Sequence, residues 1–359
     1  MTLLDSMTSS FIDYYRCPEE FAKFVVDQKI GQTAGFFRFG KDIACFGHCS
    51  APVARGPQGD LHDALSHVEF RPGAVTLPFD PDEVLENHRH ERYLNADGRS
   101  FPKSLIRKAY YLARPALPVG LRKYFQRFHL RERRSIQFPA WPIDKTVDNL
   151  CAELMFASVK ANLNLRIPFI WFWPNEYQGC LLMTHDVEHE EGRAFCGDLM
   201  DIDERHGILS SFQVVPEERY EVSDTFLESI RSRGFELNVH DLNHDGHLFQ
   251  SREMFQKRSK QINEYGVKWR TDGFRTGGMY RNTEWMDALR FSYDMSVPCA
   301  AHLEPQMGGC CTLMPYFLGD LVELPLTTTQ DYSQFHILDQ YSIDLWKEEL
   351  DVIAMSHGL

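Results

Sequence analysis

Side chains that can bind a metal ion are concentrated in two short segments of the sequence. The first reads THDVEH, from Thr184 to His189, and the second reads HDLNH, from His240 to His244. Two histidines separated by three residues present both imidazole rings to one cation if the chain turns helical between them. One carboxylate with two imidazoles is the usual ligand set of a catalytic zinc that keeps a position for water. The pattern predicts a metal-dependent hydrolase.

The same segments offer more carboxylates than a metal needs. A second carboxylate near the cation can act as a general base on water. Arg275, which closes another apolar segment, would hold such a carboxylate ionised and oriented. The sequence thus provides a candidate ligand set, a candidate base and a cation to position that base.

The segments lie in a region of alternating strand and helix patterns that begins after Trp173. Its six candidate strands read QGCLLMT (178–184), LSSFQVV (209–215), FELNVH (235–240), TDGFR, FSYDMS and DLVELP. The first helix is predicted through Phe195, Leu199 and Ile202, the second from the cap at Ser223 and Asp224 to Gly234, and the third around Phe255 and Ile262 to Gly266. This alternation favours a parallel sheet, either open and doubly wound or closed as a barrel. In both folds chemistry gathers at the carboxyl ends of the strands.

The region before this sheet has a different character. Residues 1–99 mix short alternating segments with Gly, Pro and Asp turns, which predicts a small β-rich N-terminal module. Residues 100–164 predict a basic amphipathic helical connector, because the stretch from Lys103 to Arg134 holds ten Lys and Arg against one acid. A proline-rich segment then leads into a further helix with Asp144 as a plausible cap. The catalytic domain is expected to span 165–359.

Composition excludes several classes of protein. The chain has 359 residues, 43% hydrophobic and 25% charged, which is typical of a globular protein. A net charge of −13 with no nucleic-acid motif argues against nucleic acid as a partner. The N-terminus lacks a signal-peptide pattern, the longest strongly apolar window (167–174) is too short to span a membrane, and nine scattered cysteines indicate reduced thiols. We therefore expect a cytoplasmic protein.

Three segments together resemble the motifs of the polysaccharide deacetylase family, the NodB-like carbohydrate esterases. LLMTHDVEHEEG resembles the first motif of the family, FELNVHDLNHDGHLF its His-x3-His metal motif, and GFRTGGMYRN its arginine motif. YDMSVP and VELPLTTTQD also look like the segments that follow in a bacterial branch tied to surface polysaccharide synthesis. The motifs occur in family order between residues 178 and 359.

This resemblance implies a distorted (β/α) barrel and a divalent metal, usually zinc. The reaction would be removal of an N-acetyl or O-acetyl group from a sugar, which makes the protein a hydrolase of linear amides. Carried onto this sequence, Asp186 would be the general base and Arg275 the group that tethers it. His240 and His244 would be metal ligands, and the backbone N–H near Gly278 would donate to the oxyanion.

The chain departs from the family pattern in two places. Glu188 stands where the family has an aspartate ligand, and His185 or His189 could replace it as the third ligand. The final strand of the family, with a general-acid histidine, is not found before Leu359. His357 is a poor replacement, because it lies near the end of a helix that Gly358 is expected to stop. We therefore expect a barrel lacking its last strand, in a domain that is C-terminally incomplete.

Several alternatives stay open. The same fold also serves ring-opening amide hydrolases of the allantoinase type, and the two departures are compatible with a catalytically impaired saccharide-binding protein. The basic stretch from Lys103 to Arg134 is a solvated helical face or a dock for an anionic saccharide carrier or membrane surface. Trp171, Trp173 and Trp269 belong to a core or line a sugar subsite. Cys45 and Cys49 are interpreted as ordinary thiols rather than half of a zinc site.

Overall fold

The computed structural model of the protein describes residues 6–7, 9–95, 136–163 and 165–359. The described residues of its N-terminal part include six strands and three α-helices. The strands are β1 (Ser6–Met7), β2 (Lys23–Val26), β3 (Gly35–Arg38), β4 (Ala44–Gly47), β5 (Glu69–Arg71) and β6 (Ala74–Leu77). The helices are α1 (Ser9–Tyr15), α2 (Pro81–Arg89) and α3 (Thr146–Ala161). Four strands form a sheet in the order β1-β2-β6-β5, and β3 pairs with β4.

Helix α3 packs on the N-terminal sheets. Its residues Val147, Leu150 and Leu154 are fully buried in one hydrophobic core with Phe24 and Phe36. Asp144 precedes the helix and accepts hydrogen bonds from the backbone N–H groups of Ala140 (2.5 Å) and Thr146 (2.8 Å), which fixes the turn into the helix. Residues 96–135, which include the basic stretch from Lys103 to Arg134, lie outside the described residues. The predicted domain boundaries therefore stay predictions.

The second half of the chain builds one seven-stranded sheet flanked by helices. Its strands are β7 (Thr184–Val187), β8 (Ser211–Val214), β9 (Glu236–His240), β10 (Gly273–Arg275), β11 (Tyr293–Asp294), β12 (Tyr316–Leu318) and β13 (Leu321–Glu323). Its helices are α4 (Glu190–Arg205), α5 (Asp224–Arg231), α6 (Arg252–Trp269) and α7 (Asp344–Met355). The strand order is β12-β13-β11-β10-β9-β8-β7, and all neighbours are parallel except the β12–β13 hairpin.

The α/β class with a parallel sheet is confirmed, whereas a closed barrel is not. Within the described ranges the sheet ends at β7 on one side and at β12 on the other. Strand β12 was not predicted, because three residues paired across a tight turn carry little hydrophobic pattern. None of the helices in the described ranges combines the length and the apolar composition that spanning a bilayer requires.

The first strand of this sheet begins later than the sequence predicted. Residues 178–183 are not a strand, and β7 starts only at Thr184. Leu181 and Leu182 are 63% and 46% exposed, so their apolar run does not mark a buried strand. The shift places Asp186 inside the strand instead of after it, paired with Gln213 of β8.

The third helix of this half does not stop at Gly266 but continues to Trp269. Arg270 ends it in the left-handed conformation, with φ 51°. Gly266 serves close packing instead, because a Cβ there would lie 2.8 Å from the ring of Phe291. In α4 the predicted apolar face is also rotated, since Phe195 and Ile202 are exposed while Cys196 and Met200 are buried.

Candidate metal and catalytic site

Alternation along β7 separates its polar side chains onto two faces. Thr184 and Asp186 share the face that meets Arg275, whose Nη1 donates to Thr184 Oγ1 at 2.9 Å and to Asp186 Oδ1 at 2.8 Å. Arg275 Nε donates to the carbonyl of Met295 at 3.0 Å, which fixes the guanidinium. Arg275 is 4% exposed, so its charge acts on Asp186 with little screening by water.

The end of β9 and the turn after it place two histidines side by side. The rings of His240 and His244 lie 4.9 Å apart between centroids. The turn between them includes two left-handed residues, Asp241 (φ 56°) and His244 (φ 52°). Nδ1 of His240 lies 3.2 Å from the carbonyl oxygen of Arg275, a contact that orients the ring and directs Nε2 away from the strand.

Glu188 completes a cluster of three potential metal ligands with these histidines. Its Oε1 lies 3.1 Å from Nε2 of His244 and 3.9 Å from Nε2 of His240. One ligand atom from each of the three residues lies within 4.8 Å of the others. Asp186 stands beside the cluster, with Oδ2 3.8 Å from Nε2 of His240. A ligand set and a separate carboxylate are thus brought together.

The donor atoms of the cluster fit a divalent metal. Nε2 of His240 and Nε2 of His244 are both buried, and among the described residues neither makes a hydrogen bond of good geometry, although Oε1 of Glu188 lies 3.1 Å from Nε2 of His244. A buried polar atom that lacks a partner costs about 1–3 kcal/mol. A cation such as zinc needs two imidazole nitrogens and a carboxylate of this kind. Nδ1 of His240 already contacts a carbonyl oxygen, which leaves Nε2 for the cation.

The charges of the site reinforce one another. Burial would raise the pKa of the Asp186 carboxyl, but Arg275 and His240 outweigh burial and hold that pKa below its usual range. Burial likewise opposes ionisation of Glu188, yet the two neighbouring imidazoles hold its pKa well below the usual range. In return, Asp186 and Glu188 raise the pKa of His240 against the effect of its burial. Both carboxylates are therefore ionised at neutral pH.

A glycine loop after β10 packs directly against the cluster. Gly277 N–H donates to Asp241 Oδ2 at 3.3 Å, and a Cβ on Gly277 would lie 2.8 Å from the ring of His244. Gly278 follows with φ 60°, in the left-handed region that favours glycine. Gly278, the predicted oxyanion donor, thus directly follows a residue that packs against His244.

Asp241 lies beside the candidate site, although the sequence does not predict a role for it there. It is 1% exposed, and its carboxylate ties the glycine loop to the histidine turn through Gly277. The sequence feature that points to Asp241 is its position directly after His240, at the end of a predicted strand.

Two buried carboxyls behind Arg275 were also missed. Asp294 of β11 and Glu323 of β13 are partners across the parallel ladder, and both are 0% exposed. Burial raises the pKa of both carboxyls, and the charge of Asp294 raises that of Glu323 further. Asp294 accepts hydrogen bonds from the hydroxyl and N–H of Ser296, whereas Glu323 accepts one from Val297. The segments YDMSVP and VELPLTTTQD contain these two residues, but the sequence does not indicate that they meet, because only strand pairing makes them neighbours.

The alternative ligands lie elsewhere. His185 points to the opposite face of β7, where its Nε2 lies 2.8 Å from Asp203 of α4, so the register of the strand excludes it from the cluster. His189 is an exposed residue at the start of α4 and is not part of the ligand cluster. His357 is not within α7, because the helix ends at Met355, before the stop expected at Gly358, and His357 itself takes the left-handed conformation (φ 57°).

The three tryptophans named by the sequence have contacts away from the cluster of Glu188, His240 and His244. Trp269 is 4% exposed in the core of the second sheet. Trp171 and Trp173 precede β7, at the end of the strand opposite to Glu188, and their indole N–H groups donate to the carbonyls of Tyr177 and His357. The cysteines at positions 45 and 49 are buried free thiols in the N-terminal core.

Comparison with known proteins gives a distant structural likeness. No family model and no curated protein matches the chain. A crystal structure described as that of a candidate polysaccharide deacetylase from Mycobacterium smegmatis has 19% sequence identity and a TM-score of 0.39, covering 52% of this chain and 76% of that one. A likeness of this degree says nothing about activity, so the function proposed below depends on the geometry of the site and on the sequence motifs.

Proposed function

We propose that this protein is a metal-dependent hydrolase that removes an N-acetyl or O-acetyl group from a sugar in bacterial surface polysaccharide biosynthesis. One observation carries the proposal: Glu188, His240 and His244 converge on one point, and Asp186, held by Arg275, stands beside it. The order of the three motif segments supports a saccharide as the substrate.

The cluster would hold a divalent metal, and its nitrogen and carboxylate donors favour zinc. Such a metal, when bound, polarises a carbonyl and lowers the pKa of a water molecule. We assign the ligands to Glu188, His240 and His244. Because Glu188 reaches the two imidazoles, its extra methylene relative to aspartate is accommodated.

The remaining residues have separate roles in amide or ester hydrolysis. Asp186 stays ionised beside Arg275, so it accepts the proton of the attacking water and returns a proton to the departing amine or alcohol as the bond to the acetyl carbon breaks. Arg275 keeps the carboxylate oriented through its bonds to Thr184 and to the carbonyl of Met295. The N–H of Gly278, on the loop that packs against His244, donates to the oxygen that becomes negative as the acetyl carbonyl is attacked.

A panel of substrates tests the chemistry directly. The purified full chain, loaded with zinc, is assayed against N-acetylated amino sugars, O-acetylated sugars and cyclic ureides. Release of acetate from the sugars, lost in His240→Ala and retained in His247→Ala, is the expected result. His247 is a suitable control because it is an exposed histidine three residues from His244. Turnover of ureides alone would replace the deacetylase proposal with a ring-opening amide hydrolase, and saccharide binding without turnover would replace it with a binding protein.

A further inference from the structure

Two consecutive residues, Arg219 and Tyr220, contact the main chain of both metal-ligand segments. They lie in the connection between β8 and α5, on neither of the strands that carry the ligands. The connection is itself anchored to the histidine turn, since the N–H of Glu217 donates to the carbonyl of Leu242 at 3.0 Å. Its side chains therefore occupy fixed positions between the two segments.

Tyr220 fixes the segment that carries Glu188. Its hydroxyl donates to the carbonyl of Val187 at 2.6 Å and accepts a hydrogen bond from the N–H of Val215 at 3.0 Å. Val187 is the last residue of β7 and the residue directly before Glu188. The phenol thus ties the end of β7 to the end of β8 at the point where the ligand leaves the strand.

Arg219 fixes the turn that carries His244. Its guanidinium donates from Nε to the carbonyl of Asn243 at 3.0 Å and from Nη2 to the carbonyl of His244. His244 has a left-handed backbone, with φ 52°, a conformation that a non-glycine residue keeps only where its surroundings enforce it. Two charge-assisted hydrogen bonds on consecutive carbonyls provide such enforcement.

We propose that Arg219 and Tyr220 are positioning residues for the metal, each holding the main chain of one ligand segment so that Glu188 and His244 stay within ligation distance of one cation. The inference rests on the metal site proposed above. It adds two residues that follow β8 and support the ligand segments at the ends of β7 and β9. The hydrogen bonds of both residues go to main-chain groups, so each acts through the backbone next to a ligand.

Metal binding by the full chain, stripped of metal, tests this without any assay of activity. Zn²⁺ is titrated calorimetrically, and Co²⁺ is titrated by its visible absorption, which reports ligand geometry. Outer partners of this kind change metal affinity by roughly 10–100-fold. Tyr220→Phe, which removes one hydroxyl, and Arg219→Met are expected to weaken binding by that factor and to change the Co²⁺ spectrum, with Arg219→Lys intermediate.

Tyr293→Phe is the matched control. It removes the hydroxyl of another partly buried tyrosine, which accepts a hydrogen bond from Asn238 of β9 at 2.8 Å instead of bonding to a carbonyl next to a ligand. This variant is expected to bind metal like the wild type. Wild-type affinity and spectrum in both Tyr220→Phe and Arg219→Met would overturn the positioning role while the metal site stands. Absence of metal binding by the wild-type protein would instead overturn the proposed function.

Discussion

Nη1 of Arg275 lies 2.8 Å from Oδ1 of Asp186, although their strands are not neighbours. Strands β8 and β9 lie between β7 and β10 in the sheet. Three inter-strand spacings amount to about 14 Å in a flat sheet, and side chains stand off the face of a sheet rather than lie along it. The sheet must therefore curve strongly between the two strands. That curvature, rather than sequence proximity, brings the candidate base and its cation together.

Replacement of the candidate base tests the separation of roles between Asp186 and the ligands. Asp186→Asn keeps the size of the side chain but cannot accept the proton, so turnover should fall by roughly 10²–10⁴-fold. Metal content should stay at the wild-type value, because Glu188, His240 and His244 are unchanged. Steady-state rates and metal analysis on the same preparation check both expectations. Full activity in this variant would show that another group is the base.

The glycine loop gives a test of packing against the cluster. Gly277→Ala introduces a Cβ that would lie 2.6 Å from Asp241 Oδ2 and 2.8 Å from His244, so the histidine must shift. We expect weaker Zn²⁺ binding in a calorimetric titration. Gly197→Ala is the matched control, because nothing lies within 4 Å of its Cβ in α4. The control should bind metal normally and gain about 0.5–1 kcal/mol of stability from helix propensity. Equal metal affinity of the two variants would contradict the observed packing.

A buried ion pair connects the N-terminal part to the glycine loop. Arg281 and Glu91 are 0% and 6% exposed at their side chains, and Glu91 also accepts a hydrogen bond from Gly309 N–H at 2.6 Å. Glu91→Gln leaves the arginine without a counter-charge and should lower the free energy of unfolding by about 3–5 kcal/mol. Denaturant unfolding measures this change.

An exposed ion pair close by is the control for that experiment. Arg92 and Glu284 are 43% and 52% exposed at 2.8 Å, so Glu284→Gln should change the free energy of unfolding by less than about 1 kcal/mol. Equal effects of Glu91→Gln and Glu284→Gln would mean that burial does not strengthen the Glu91 interaction.

The pH dependence of stability should show the titration of Glu349. This residue of α7 is 0% exposed, and burial raises its pKa to about 7. Between about pH 4.5 and pH 7 the carboxyl of Glu349 is protonated in the folded protein but ionised in the unfolded chain. The free energy of unfolding therefore falls as the pH rises through this interval, by up to about 3 kcal/mol. Glu349→Gln removes this dependence. Its free energy of unfolding should therefore exceed that of the wild type by more at pH 8 than at pH 4.5. A constant difference between the two proteins would contradict the assignment.

In the second half of the chain, the sequence predicted which strands and helices form better than it predicted where each one begins and ends. Candidate strands at β8, β9, β10, β11 and β13 were each placed within a few residues, because apolar runs bounded by turns mark buried parallel strands. The first strand was placed too early, since the apolar run Leu181 to Met183 is exposed. Glycine was interpreted as a helix terminator at Gly266, where the structure uses it for contact with Phe291.

For the candidate site, the sequence indicated the ligand types but not which side chains would meet. Spacing identified His240 and His244, and the structure places Glu188 with them. The choice between Glu188 and His185 depends on the register of β7, which sends His185 toward Asp203, and no local pattern determines that register. Contacts such as Arg219 with His244 or Asp294 with Glu323 join distant parts of the chain, so only the assembled fold reveals them.

Metal stoichiometry tests the central claim most directly. The full chain, its His240→Ala variant and its His247→Ala variant are each equilibrated with Zn²⁺, freed of excess metal and analysed for zinc per chain. The wild type and His247→Ala should retain one zinc each, and His240→Ala should retain none. A wild-type protein without stoichiometric zinc, or a His240→Ala variant that keeps it, would contradict the assignment of Glu188, His240 and His244 as a metal site.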